Sequence, residues 1–210
     1  MEQRSYQCAN CARQGCKSHQ MDKTMPVCPC KNQPVQERGK ELYQEEENRH
    51  IAYTSALVEQ EGYGRLCRME EIMDFARRAG YRKLGLVFCS GLKEEANMVT
   101  KILSGNGFEV VSVICKNGAI PKSFLGLTDG QTLSGCADEV MCNPIGQALL
   151  MNEEGTQLNI LLGLCVGHDT LALKYLEAPT TVLAVKDRVT GHNPLAAIYM
   201  AEGYYKKRFF

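Results

Sequence analysis

The chain has 210 residues, and its 24 lysines and arginines are balanced by 24 aspartates and glutamates, leaving no net charge. That balance excludes the strongly one-signed surface that nucleic acid or an anionic membrane selects, so neither is an expected partner. The first ten residues are polar and show no secretory signal, and no apolar run is long enough to span a bilayer. The expected location is the cytoplasm.

Eleven cysteines in a reducing compartment point to metal binding or thiol chemistry and not to structural disulfides. An odd count also argues against complete pairing. Five of them, Cys8, Cys11, Cys16, Cys28 and Cys30, follow the spacing C-x2-C-x4-C-x11-C-x-C. The residues between them include Gly15, Pro26 and Pro29 and are too poor in large apolar side chains to form a core. Such a segment gains order from a cross-link, and a tetrahedral thiolate site is the one available. Residues 1–35 are therefore expected to form a small cysteine-rich metal-binding module. A C-x2-C pair places two sulfurs on one ion and a distant C-x-C supplies the rest, with His19 able to replace a sulfur. Five cysteines exceed four ligands, and zinc and an iron–sulfur cluster both fit. The competing reading is a disordered cysteine-bearing tail.

Residues 36–80 read as a charged helical segment packing on the core. A helix over 40–60 carries Leu42, Ile51, Ala52, Ala56 and Val58 as a modest stripe. A second, over 69–79, turns Ile72, Met73, Phe75 and Ala76 inward and ends at Gly80 as a C-cap. His50 and the acidic run 45–47 read as solvated surface.

From residue 81 to 210 strands and helices alternate. Strands are predicted over 83–89, 108–115, 138–142, 158–165 and 180–185, and helices over 93–103, 144–151, 170–176 and 194–201. Residues 116–137, with five glycines and prolines, are long for a connection and read as a functional loop. Alternation of this kind implies an α/β fold, a Rossmann-like three-layer domain with a mostly parallel sheet. The run at 158–165 is apolar throughout, as a strand buried on both faces should be.

Four of these strands end in cysteine: Cys89, Cys115, Cys142 and Cys165. In a parallel sheet the C-terminal strand ends share one edge, which is where ligands bind. Helix N-termini beside them favour thiolate over thiol. A shared cofactor site is thus expected at that edge. For a single cysteine the plain alternative is a small buried hydrophobe. The last strand is followed by Lys186, Asp187 and Arg188, and then by His192-Asn193-Pro194, which repeats the form of Cys142-Asn143-Pro144. In both, Asn is expected as N-cap and Pro as first helical residue. Asp169 is expected to cap the helix after Cys165. Cys165, His168, Lys186, Arg188 and His192 are the candidate catalytic residues, with Arg188 free to pair with Asp187 instead. No G-x-G-x-x-G follows the first strand, which weakens a dinucleotide reading.

With Cys8-x2-Cys11, Cys165-Val-Gly-His-Asp and Lys186-Asp-Arg-Val-Thr-Gly-His-Asn-Pro in view, the chain resembles a bacterial and archaeal domain-of-unknown-function family. Its members are described as predicted metal-binding, cysteine-rich proteins and are common in anaerobes. The likeness implies metal binding and supplies no reaction. More loosely, strand-end cysteines on Rossmann-like units are similar to those of enzymes that hold a [4Fe–4S] cluster between such units.

Three functions are compatible with this sequence. The first is a cytosolic cysteine-ligated zinc or iron–sulfur protein in redox or metal handling, with a second Cys/His site at the strand edge. The second is an iron–sulfur or cysteine-dependent enzyme acting on a small anionic substrate. The third is a scaffold whose N-terminal zinc knuckle contacts a partner.

Overall fold

A computed structural model describes residues 5–210. The chain divides into two compact units, one running to Glu61 and the other from Gly62 to Phe210. Among the described residues no helix is long and apolar enough to cross a membrane.

The first unit opens with short 3-10 turns at Cys8–Asn10, Met21–Lys23 and Pro29–Lys31. Two helices follow, α1 (Gln33–Leu42) and α2 (Glu46–Gly62), where the sequence suggests one. The break falls just before Glu46 and Glu47, which occupy the first turn of α2 and complement its dipole. Both glutamates and His50 are exposed.

The second unit is α/β. After α3 (Arg68–Arg78) come β1 (Lys83–Phe88), α4 (Lys93–Gly105), β2 (Glu109–Ile114), α5 (Pro144–Glu153), β3 (Leu158–Leu164), α6 (His168–Tyr175) and β4 (Thr180–Val185). Two short helices, α7 (Leu195–Tyr199) and α8 (Lys206–Phe209), close the chain. The four strands are all parallel in the order β2-β1-β3-β4. Strand period two then divides the core between the faces. Leu84, Leu86, Phe88, Ile160 and Leu162 pack with Ile72 and Ala76 of α3 and Val99 and Leu103 of α4. Val87 and Leu161 pack with Met151 of α5 and Ala172 of α6 on the opposite face. This is a three-layer, Rossmann-like arrangement, and every residue of β3 is buried, as a central parallel strand requires.

The alternation is broken at one point. Register between β3 and β4 shifts around Gly163, which has φ +66. Leu162 belongs to the α3/α4 face, yet Leu164, two residues on, belongs to the α5/α6 face. The bulge inverts the alternation and re-aims the end of β3.

Several expected elements differ. Residues 138–142 are not a strand: Val140 makes one antiparallel bridge with Pro121. The loop satisfies its own backbone there, with Met141 N–H donating to Ile120 (2.8 Å) and Lys122 N–H to Glu139 (2.9 Å). Helix α6 starts at His168 because Gly167, at φ +86, makes the turn. Asp169 therefore lies inside it and accepts from Thr170 N–H instead of capping. Asn143 does cap α5, accepting from Gly146 N–H at 2.9 Å. Asn193 caps nothing: α7 begins after Pro194, and His192 takes φ +67.

A candidate cysteine site at the sheet edge

The strand register alone brings two sulfurs together. Phe88 is paired with Ile114. The next residues, Cys89 and Cys115, therefore stand side by side on the α5/α6 face, both buried. Their backbones are held by Cys115 N–H to Phe88 (3.0 Å) and Cys89 N–H to Leu162 (3.2 Å). Cys142 joins them because the following residue, Asn143, donates its N–H to the Cys115 carbonyl at 2.7 Å. Asn143 is itself locked to Asn117 (Nδ2 to Oδ1, 3.0 Å), and Asn117 to the carbonyl of Ile114 (2.9 Å). Gly146 makes room for this clasp, since a Cβ there would stand 2.3 Å from Asn143 Nδ2. Cys165 arrives past the Gly163 bulge.

The sheet order reverses between β1 and β3, and ligand crevices of open α/β sheets form at such a point. A cavity of about 710 Å³ lies there, lined by Cys89, Cys142, Cys165, His168, His192, Lys116, Lys186 and Arg188 among others. The expected catalytic residues and three of the four rim cysteines thus share one space. Cys115 sits behind it, where its sulfur accepts Ser90 N–H at 3.2 Å.

The sulfurs are unequal. A hydrogen bond to Cys115, then burial, pushes the Cys89 thiol up to about 12. A hydrogen bond from Cys115, helped by the charge of Lys116, brings Cys142 down to about 7 against the cost of burial. Contact with Cys115 thus acts oppositely on its two neighbours, raising Cys89 and lowering Cys142. Arg188 Nη2 donates to Cys165 Sγ at 3.4 Å, and that contact raises the guanidinium above its ordinary value. Arg188 turns to this sulfur and not to Asp187, whose carboxylate accepts the N–H groups of Val189 (2.9 Å) and Thr190 (3.0 Å). Those bonds hold Asp187 below the usual carboxylate range, those to Thr190 foremost. His192 Nδ1 accepts Asp187 N–H at 3.1 Å, so its proton, when neutral, is on Nε2.

In the first unit, Cys8 and Cys11 bracket one turn, with Cys11 N–H donating to Cys8 at 3.1 Å. Cys28 and Cys16 lie near enough to Cys30 to act on its thiol. A hydrogen bond with Cys28 raises the Cys30 thiol, with Cys16 adding to the effect. His19 is exposed at φ +57. All eleven cysteines are free, and Cys67 and Cys136 are exposed outside both groups. Among the described residues no group of three or more His, Cys, Asp or Glu side chains is placed so as to hold a metal ion. The donor types nevertheless fit a soft metal, because sulfur is the ligand such ions select.

Some of the residues that build the edge carried no motif. Gln147 of α5, fully buried, donates to the carbonyls of Phe88 (3.0 Å) and Val113 (2.6 Å), fastening the helix to the ends of β1 and β2. Its signal is a lone amide inside the apolar stretch of α5. Lys122 and Glu139 form a 2.5 Å ion pair across the 116–141 loop.

Together these features define an α/β protein with a cysteine rim at the carboxyl ends of a parallel sheet. The chain belongs to the family described as protein of unknown function (DUF1847), whose model matches residues 28–183. That span includes Cys28, Cys30 and the four rim cysteines, and excludes Cys8, Cys11, Cys16, Lys186, Arg188 and His192. The chain is also 48% identical over 171 residues to the uncharacterized protein MJ0455 of Methanocaldococcus jannaschii, covering 80% of this chain and 84% of that one. No solved structure matches.

Proposed function

We propose that the rim of the second unit is a thiolate centre for a soft metal, zinc or an iron–sulfur cluster, in a cytoplasmic protein of redox or metal handling. The observation that supports it is the gathering of Cys89, Cys115, Cys142 and Cys165 from four separate corners of the chain. A nucleophile needs one sulfur, whereas four is the donor count of a tetrahedral thiolate or cluster site. Lys116, Lys186 and Arg188 beside them offset the charge that several thiolates carry. Metal loading exchanges the shared protons of the rim for the ion. Zinc would supply a structural tie, and a cluster would supply one-electron chemistry. Cys16, Cys28 and Cys30, with Cys8 and Cys11 nearby in sequence, support a second site in the first unit.

The test is metal and acid-labile sulfide content of protein purified without oxygen, for the wild type and for C89S/C165S. The expected result is loss of the rim's share of metal in the double variant, with the N-terminal share retained. Unchanged metal content together with unchanged stability overturns the reading. The cavity and its cations favour a second reading, in which a rim thiolate attacks a small anionic substrate while His168 and His192 move protons. Metal-free protein that turns over such a substrate would favour it.

A further inference from the structure

The cavity above the cysteines holds more than sulfur. We infer that it binds a small molecule with an anionic head, a phosphate or a carboxylate, and an apolar body. The inference rests on the rim being the working site and does not require the metal to be present.

The head is assigned by cations that no carboxylate pairs. Lys116, Lys186 and Arg188 reach the cavity from the ends of β2 and β4, Lys116 also donating to the Val140 carbonyl. The two carboxylates that also line it are spoken for: Glu139 pairs with Lys122 at 2.5 Å, and Asp187 accepts two backbone N–H groups. Lys186 Nζ has no hydrogen bond or ion pair among the described residues. Its ammonium stands over glycine on two sides, where Cβ atoms on Gly91 and Gly163 would lie 3.5 and 3.6 Å away. Arg188 spends one donor on Cys165 and keeps others of its five for a planar or tetrahedral oxyanion.

The body is assigned by the apolar part of the lining. Leu125 and Leu133 of the 116–141 loop line the same cavity, yet are 61% and 95% exposed. Apolar side chains held against an open cavity gain by having an apolar group covered with them. A volume of about 710 Å³ lies within the range of small-molecule sites. Cations and leucines lining one cavity select a ligand that carries both an anionic group and an apolar part.

Calorimetric titration with inorganic phosphate, phenyl phosphate, acetate and benzoate tests this. The ring-bearing member of a pair is expected to bind about tenfold tighter than the bare anion. K186M and R188M should each weaken the tighter anion by about tenfold or more. L133S should erase the advantage of the ring, and K101M, at an exposed lysine of α4 away from the cavity, should change nothing. Stronger binding by the phosphate pair assigns a phosphate head, and by the carboxylate pair a carboxylate head. Absence of binding by all four, or binding indifferent to K186M and R188M, overturns the inference. These titrations are made on metal-stripped as well as purified protein, so a failed metal assay leaves their outcome readable.

Discussion

Leu92 fills the space that a side chain on Gly163 would need: a Cβ there would stand 2.1 Å from Leu92 Cδ1. Gly163 also holds φ +66, a conformation L residues rarely adopt. G163A should therefore destabilise the protein by about 2 to 4 kcal/mol, from backbone strain and overpacking together. Urea denaturation followed by circular dichroism measures it. A loss under about 0.5 kcal/mol would mean that β3 does not need its bulge.

Gln147 fastens α5 to two strand ends, and no apolar residue replaces both bonds. Q147L should cost about 1 to 3 kcal/mol, because the carbonyl of Val113 loses its amide partner. The same denaturation experiment reads it. A more stable variant would show that the orphaned Oε1 of Gln147 already cancelled what the two bonds gave.

In metal-free protein, Cys142 should be the rim thiol that iodoacetamide takes first, with a half-point near pH 7. Cys89, held up to about 12, should stay unlabelled across that range. C115A removes the S–H that stabilises the Cys142 thiolate, so the half-point should move upward. Peptide mapping across pH 5 to 10 supplies the profile. Equal labelling of Cys89 and Cys142 at every pH contradicts this difference between the two thiols.

Glu139 is held down to about 2 by Lys122, well under its unfolded value of about 4.3. A depressed folded value means the stabilisation is complete above the unfolded one and fades as pH falls from about 4 toward 2. The 116–141 loop should thus lose hydrogen-exchange protection in that interval. E139Q should show the lowered protection already at neutral pH and no further acid response.

How much of the fold and the rim was legible in the sequence depends on whether local or distant contacts set each part. The alternation from residue 83 onward and the all-buried run at Leu158–Leu164 carried the α/β class and the central strand, because strand period and burial are written locally. Parallel geometry accounts for the edge position of Cys89, Cys115 and Cys165, whereas Cys142 reaches it from a loop through the Asn143 N–H bond to Cys115. The strand at 138–142 did not form because Val140 and Met141 find partners inside their own loop, a contact the spacing of apolar residues does not reveal. The likeness of His192-Asn193-Pro194 to Cys142-Asn143-Pro144 failed for a similar reason. Asn143 is clasped by Asn117 from a distant turn, and Asn193 has no such clasp. The role of Gln147 depended on where α5 lands across two strands, which no local pattern encodes.

Because the four rim sulfurs come from the ends of β1, β2 and β3 and from the turn before α5, no fragment of the chain owns the pocket. A nascent chain stopped after β2 exposes Cys89 and Cys115 without Cys165, Lys186 or Arg188, so premature capture of a ligand by a half-made protein is disfavoured. Occupancy of the rim would then report that synthesis and sheet assembly are finished, a built-in proof of completion.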